Sequence, residues 1–189
     1  MMGNLGPEEE MAEIVSLAAQ HNLREGGRIV PERLVTCLQA VEFNNEGWGV
    51  WSDDFWGYSL STVRDYAASA AQLHFFSRDP TLLSAPLAVA DNRLGRSAEL
   101  PGGHHHLEIT RAGTLHAVMG YFTATLAPEV TLSNFPSYPG SNWAVWIWPL
   151  RHTHVEPGDI VHVEINRPSE IRTVEAWTLN CGIARGCRR

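Results

Sequence analysis

The chain is short of cysteine, of basic charge and of long apolar runs. Its three cysteines, Cys37, Cys181 and Cys187, cannot all pair and form no C-x-x-C spacing. That argues against a disulfide framework and against a zinc site, and predicts free thiols in a reducing cytoplasm. Cys37 lies in the apolar run Leu34 to Val41 and reads as a core residue. No segment approaches the roughly 20 uninterrupted apolar residues of a membrane-spanning helix. The N-terminus, Met1 to Met11, is acidic and shows no signal-peptide pattern. Fourteen Lys and Arg face twenty-one Asp and Glu, for a net charge of -7. A duplex-wrapping protein would be basic, so nucleic acid is not an expected partner, and neither is a membrane. G-x-G-x-x-G, G-x-x-x-x-G-K-[ST] and G-x-S-x-G are all missing, which removes nucleotide-cradling loops and the nucleophile elbow.

What is present is globular: 189 residues, 44% hydrophobic and 19% charged. A chain of this length buries roughly 70% of its unfolded surface and folds without staples, as one domain or one domain with an appendage. Glu8 to Leu23 reads as a helix, because Met11, Ile14, Val15 and Ala18 recur at the spacing of one helical face. Pro7 and the carboxylates of Glu8, Glu9 and Glu10 suit its positive end, and Gly26 and Gly27 suit its stop. Leu34 to Phe43 reads as a strand. Residues 47–60 gather Trp48, Trp51, Phe55, Trp56 and Tyr58 among glycines and acids, a segment too aromatic to lie free in solvent. Thr62 to Phe76 is alanine-rich and predicts a second helix. From Leu82 onward the pattern becomes short β-rich runs broken by turns, as in a sandwich or barrel. Leu107–Thr110 and Leu115–Phe122 flank Arg111–Thr114 and predict a hairpin, and Pro157-Gly158-Asp159 predicts another turn.

Four groups of residues are candidates for chemistry. His104-His105-His106 invites a metal, but neighbours on a strand point to opposite faces, so three in a row cannot converge on one ion. A polar loop is the plainer reading. His152 and His154 alternate and suit either a shared site or a strand surface. Glu8-Glu9-Glu10 suits the helix dipole or, alternatively, a cationic substrate. Ser133 to Leu150 carries Trp143, Trp146 and Trp148, whose indoles either fill a core or wall a site that accepts a cation.

Several of these pieces, in this order, resemble the C-terminal half of the protein arginine methyltransferases. Leu23-Arg24-Glu25-Gly26-Gly27-Arg28-Ile29-Val30-Pro31-Glu32-Arg33 resembles the family's junction between domains. Gly57-Tyr58-Ser59-Leu60 and the segment after it resemble its dimerisation arm. Ala117 to Phe122, Leu132-Ser133-Asn134-Phe135-Pro136 and Trp148-Pro149-Leu150 resemble its barrel strands, and Ser141-Asn142-Trp143 stands where the family has Thr-His-Trp. Met2 to Met11 resembles the second part of the family's substrate loop. Glu9 aligns best with the second of the two glutamates that grip a guanidinium, with Glu8 or Glu10 possible within one residue.

The resemblance implies a mainly β fold with some helix. It divides the chain into 1–30, the remnant of a cofactor domain, 31–180, a β-barrel with a helical arm at about 57–80, and 181–189, a tail. It implies the barrel half of an S-adenosylmethionine-dependent arginine N-methyltransferase-like enzyme. Glu9 would be catalytic, Asn142 and Trp143 would contact substrate, and Asn142 in place of histidine would lose any salt bridge made there. The cofactor domain and the first glutamate would precede Met1 or lie on a second polypeptide, so the chain alone is expected to bind no S-adenosylmethionine and to be inactive. Expected partners are that domain, a second copy through the arm, and an arginine-containing protein or other guanidino substrate. The rival readings are a non-catalytic barrel scaffold derived from the family and, more distantly, a β-sandwich that binds carbohydrate through its tryptophans.

Overall fold

In a strand, successive side chains face opposite sides of the sheet, so runs such as Ala117-Val118-Met119 and Val145-Trp146-Ile147-Trp148 require cover on both faces. The computed structural model shows how that cover is supplied. It describes residues 2–44, 57–58, 70–96, 99–169 and 173–186. Among these, the helix α1 (Met11–Asn22) precedes β1 (Arg33–Glu42), β2 (Gln72–His74), β3 (Thr81–Leu82), β4 (Leu87–Arg93) and β5 (Gly103–Glu108). There follow β6 (Gly113–Ala127), β7 (Val130–Ser133), β8 (Val145–Val155), β9 (Ile160–Asn166), a short turn of tighter helix (Val174–Ala176) and β10 (Thr178–Ala184).

The strands form two antiparallel sheets. The larger has the order β2-β8-β6-β1-β3, with β4 also on β1 and β7 also on β6. β3 and β4 follow one another along one edge of β1, while β6 takes the other edge. The smaller sheet has the order β10-β9-β5. Single bridges join the two sheets at both margins, Ala70 to Thr178 on one side and Ser84 to Ile109 on the other. The architecture is the expected mainly β fold, two antiparallel sheets with one helix.

The core divides along the alternation. Val118, Trp146, Trp148 and Leu150 face inward and pack with Leu107, Val161, Val163, Ile165 and Trp177 of the smaller-sheet side. Ala117, Met119, Tyr121, Val145 and Ile147 face the opposite way and pack with Val41, Phe43 and the partly buried Cys37, Leu82 and Phe135. Trp148 and Trp177 are fully buried, each removing on the order of 150–250 Å² from water. For Trp146 and Trp148 the core reading therefore holds.

Several expectations are corrected. The helix begins at Met11, not Glu8, and only Met11 and Val15 of its apolar face pack on the barrel, while Ile14 and Leu17 are exposed. The predicted helix over 62–76 is extended at its end: Gln72–His74 is β2, paired with β8. Residues 59–69 of the arm, and the aromatic segment 45–56, lie outside the described residues. The two strands flanking Arg111–Thr114 do not form a hairpin. β5 pairs with β9, whereas β6 pairs with β1 and β8, so the connection crosses between sheets. Short-range turn signals do not determine which sheet a strand joins. The three adjacent histidines lie on β5, not in a loop. Residues 181–184, expected in a tail, complete β10.

Candidate functional site

The N-terminal residues fold back onto the barrel instead of standing apart. Leu5 is fully buried and belongs to the main core, and its carbonyl accepts from Thr36 Oγ1 at 2.7 Å. Gly120 on β6 makes room for it: a Cβ there would stand 2.7 Å from Leu5 Cδ2 and 3.0 Å from Trp148 Cζ3. Gly3 and Gly6 close the turn with reciprocal backbone hydrogen bonds of 3.2 and 3.1 Å. Gly3 lies so near the Glu8 carboxyl that any side chain at position 3 would displace it.

Three glutamates end this turn, and their environments differ. Glu8 is buried, with 6% of its surface exposed. Its Oε1 accepts from the Leu5 amide at 2.6 Å and from Trp146 Nε1 at 3.4 Å. Oε2 is buried with no hydrogen-bond partner. Burial, the dominant cause, raises the Glu8 pKa above its ordinary value, opposed by the bonds from Leu5 and Trp146. Glu9 and Glu10 are exposed, and both adopt left-handed backbone conformations, with φ of 67° and 60°. Two such residues in succession cost energy that surrounding contacts must offset, and strained backbone of this kind gathers at functional sites. Glu10 occupies the N-cap position of α1 but makes no side-chain cap.

Trp143 and Asn142 lie just before β8. Trp143 is half-buried, edge-on to Phe122 with ring centroids 5.8 Å apart. It packs, as Met2 does, against the cluster that contains Met11, Leu34 and Phe122, so the tryptophan and the start of α1 share one apolar patch. Asn142 is exposed. Sequence reasoning named Glu9 for catalysis, whereas the carboxylate that reaches an indole is Glu8, and the indole it reaches belongs to Trp146, which points into the core.

Asn134 was missed as a positioning residue. It is buried, accepts from the Phe122 amide at 2.8 Å, and donates from Nδ2 to the carbonyls of Asn4 at 2.7 Å and Ala144 at 2.6 Å. One amide thus ties the N-terminal turn to β6 and to the approach of Trp143. Ser133 supports it, its Oγ donating to the Phe122 carbonyl at 2.6 Å. The available signal was a polar Ser-Asn pair between an apolar strand and Phe-Pro. A cleft of about 510 Å³ lies elsewhere, lined by Ala19, Leu23, Ile29, Arg28, Arg93 and Arg96 among others. It opens at the far end of α1 from the acidic turn, and its Leu94 and Ile29 border the apolar patch against which Trp143 packs.

No family model matches the sequence, and no curated protein matches it. Solved structures do. The chain is similar to the Trypanosoma brucei PRMT1 enzyme-prozyme heterotetrameric complex with AdoHcy, at a TM-score of 0.70 and 15% identity, over 96% of this chain and 60% of that one. It is equally similar to Arabidopsis thaliana protein arginine methyltransferase 10, at a TM-score of 0.70 and 15% identity, over 98% of this chain and 64% of that one. The chain spans less than two thirds of the length of either. Identity this low shows the fold, and the chain has the fold that protein arginine methyltransferases have over the matched region.

Proposed function

We propose that this chain is the substrate-binding barrel half of an S-adenosylmethionine-dependent arginine N-methyltransferase-like enzyme. The observation that carries the reading is the acidic turn. In a fold shared with two arginine methyltransferases, Glu8 is held by the Leu5 amide and the Trp146 indole, and Met11 at the end of the same turn lies in the patch against which Trp143 packs. A carboxylate pair holds a guanidinium by bidentate, charge-assisted hydrogen bonds. Such a grip orients one nitrogen toward the methyl donor and stabilises the developing charge. Glu9, exposed and in left-handed backbone, would be the carboxylate that reaches a substrate. Glu8 is the anchor beneath it. Trp143 walls the pocket, and Asn142 offers a hydrogen bond without a charge.

The methyl donor would be held by a further domain. Ile14 and Leu17 of α1, 56% and 59% exposed, support a docking face for it. Leu73 and Phe75, 50% and 66% exposed at the β2 edge, support self-association through the region that includes the arm. The test is transfer of labelled methyl from S-adenosylmethionine to an arginine-rich peptide. It is run with the chain alone and with the chain supplemented by the sequence encoded directly before it. Activity only in the supplemented reaction, lost in Glu9→Gln, is the expected result. Robust turnover by the chain alone sinks the incomplete-enzyme reading. No turnover in either reaction favours the non-catalytic scaffold.

A further inference from the structure

We infer that His106 and His162 form a metal site of the copper(II) or nickel(II) class on the outer face of the smaller sheet. The two residues are directly paired across β5 and β9. Their rings meet edge to face with centroids 4.6 Å apart, and Nδ1 of one stands 2.8 Å from Nδ1 of the other. Each neutral imidazole has one ring nitrogen with a lone pair. At 2.8 Å the two Nδ1 atoms share one proton in an N–H···N hydrogen bond, and a divalent cation that displaces this proton takes one lone pair from each ring. Nitrogens bound at about 2.0 Å and subtending a right angle lie about 2.8 Å apart, whereas tetrahedral ligands at that distance lie about 3.3 Å apart. The observed spacing fits two adjacent corners of a tetragonal site and not two vertices of a zinc tetrahedron.

The surroundings leave that site open. Gly182 stands opposite His162 on β10, and nothing lies within 4 Å of where its Cβ would be. In the neighbouring row, Glu164 is engaged by Asn180 Nδ2 at 3.1 Å and faces His104 Nε2 at 3.6 Å. Among the described residues no three His, Cys, Asp or Glu groups gather closely enough to hold an ion. Water therefore completes the coordination sphere, and the bound ion bridges β5 to β9. His105, between the two surface histidines, turns the other way and bonds the Gly102 carbonyl at 3.0 Å, so it takes no part.

The experiment is calorimetric titration of the untagged chain with nickel chloride, paired with thermal melts with and without the ion. The expected result is saturable binding of one ion and a raised Tm, both lost in His106→Ala and in His162→Ala. His154→Ala, which removes an exposed histidine on β8, should keep both. All three histidines are on the surface, and melts in chelator check that each variant folds. Binding that survives in the His106→Ala/His162→Ala double variant, or an absence of saturable binding in the parent chain, overturns the assignment.

Discussion

Replacing Glu8 with glutamine isolates the charge at the heart of the acidic turn. The carboxyl keeps one oxygen bonded to Leu5 and Trp146 and leaves the other buried without a partner. Burial raises its pKa above the ordinary value of 4.5. Between 4.5 and the raised folded value, the native protein binds more protons here than the unfolded chain does. Stability from this group therefore falls as pH rises through that window, and the penalty is complete above it. Glutamine keeps the shape and the acceptor but carries no charge. Glutamine still leaves one buried polar atom without a partner, so what the substitution removes is the extra cost of burying a charge there, on the order of 1–3 kcal/mol. At pH about 8, Glu8→Gln should thus be more stable than the parent by about 1–3 kcal/mol, or roughly 2–10 °C in Tm for a chain of this size. Below the ordinary glutamate pKa the difference should vanish, since both side chains are then neutral. Parallel thermal melts at a series of pH values read this directly. A variant less stable than the parent at high pH, or a difference that does not change with pH, would refute the reasoning.

Other outcomes follow from the same geometry. Asn134→Ala strands the Phe122 amide and the Asn4 and Ala144 carbonyls, and should cost about 2–4 kcal/mol in denaturant titration. It should also speed amide exchange in the N-terminal turn. Asp159, buried at the Pro157–Asp159 turn, accepts from the amides of Gly186 and Glu156 and from Arg185, and these bonds hold its pKa down at about 2. A depressed carboxylate contributes stability above its unfolded pKa and loses it as pH falls through the folded one, so Asp159→Asn should flatten the acid limb of the parent's stability profile. His116 is lowered to about 4, first by burial and then by His152; its Nδ1 accepts from the Phe43 amide at 2.9 Å. Stability from His116 should be intact above about 6.5 and decline as pH falls towards 4, and its NMR titration should be displaced to that lower value. By contrast, the Arg33–Asp91 bridge is half-exposed on both sides, and Asp91→Ala should cost less than about 1 kcal/mol.

The sequence by itself determined the β-rich character, because period-two alternation and turn residues are local properties. It also located β1, the turn at Pro157–Asp159 and the helix, since each rests on residues within a few positions of one another. The family likeness read in short motifs pointed to the fold that the solved structures share. Tertiary structure decided what depends on distant partners. It put the strands around Arg111–Thr114 into different sheets, turned the end of the alanine-rich segment into an edge strand, and sent Trp146 and Trp148 inward while leaving Trp143 on the rim. It separated Glu8 from Glu9, one buried against an indole and one exposed, although nothing in Glu-Glu-Glu distinguishes them. It also supplied what three histidines on one strand could not, because the residue that faces His106 across the sheet is His162, fifty-six positions along the chain.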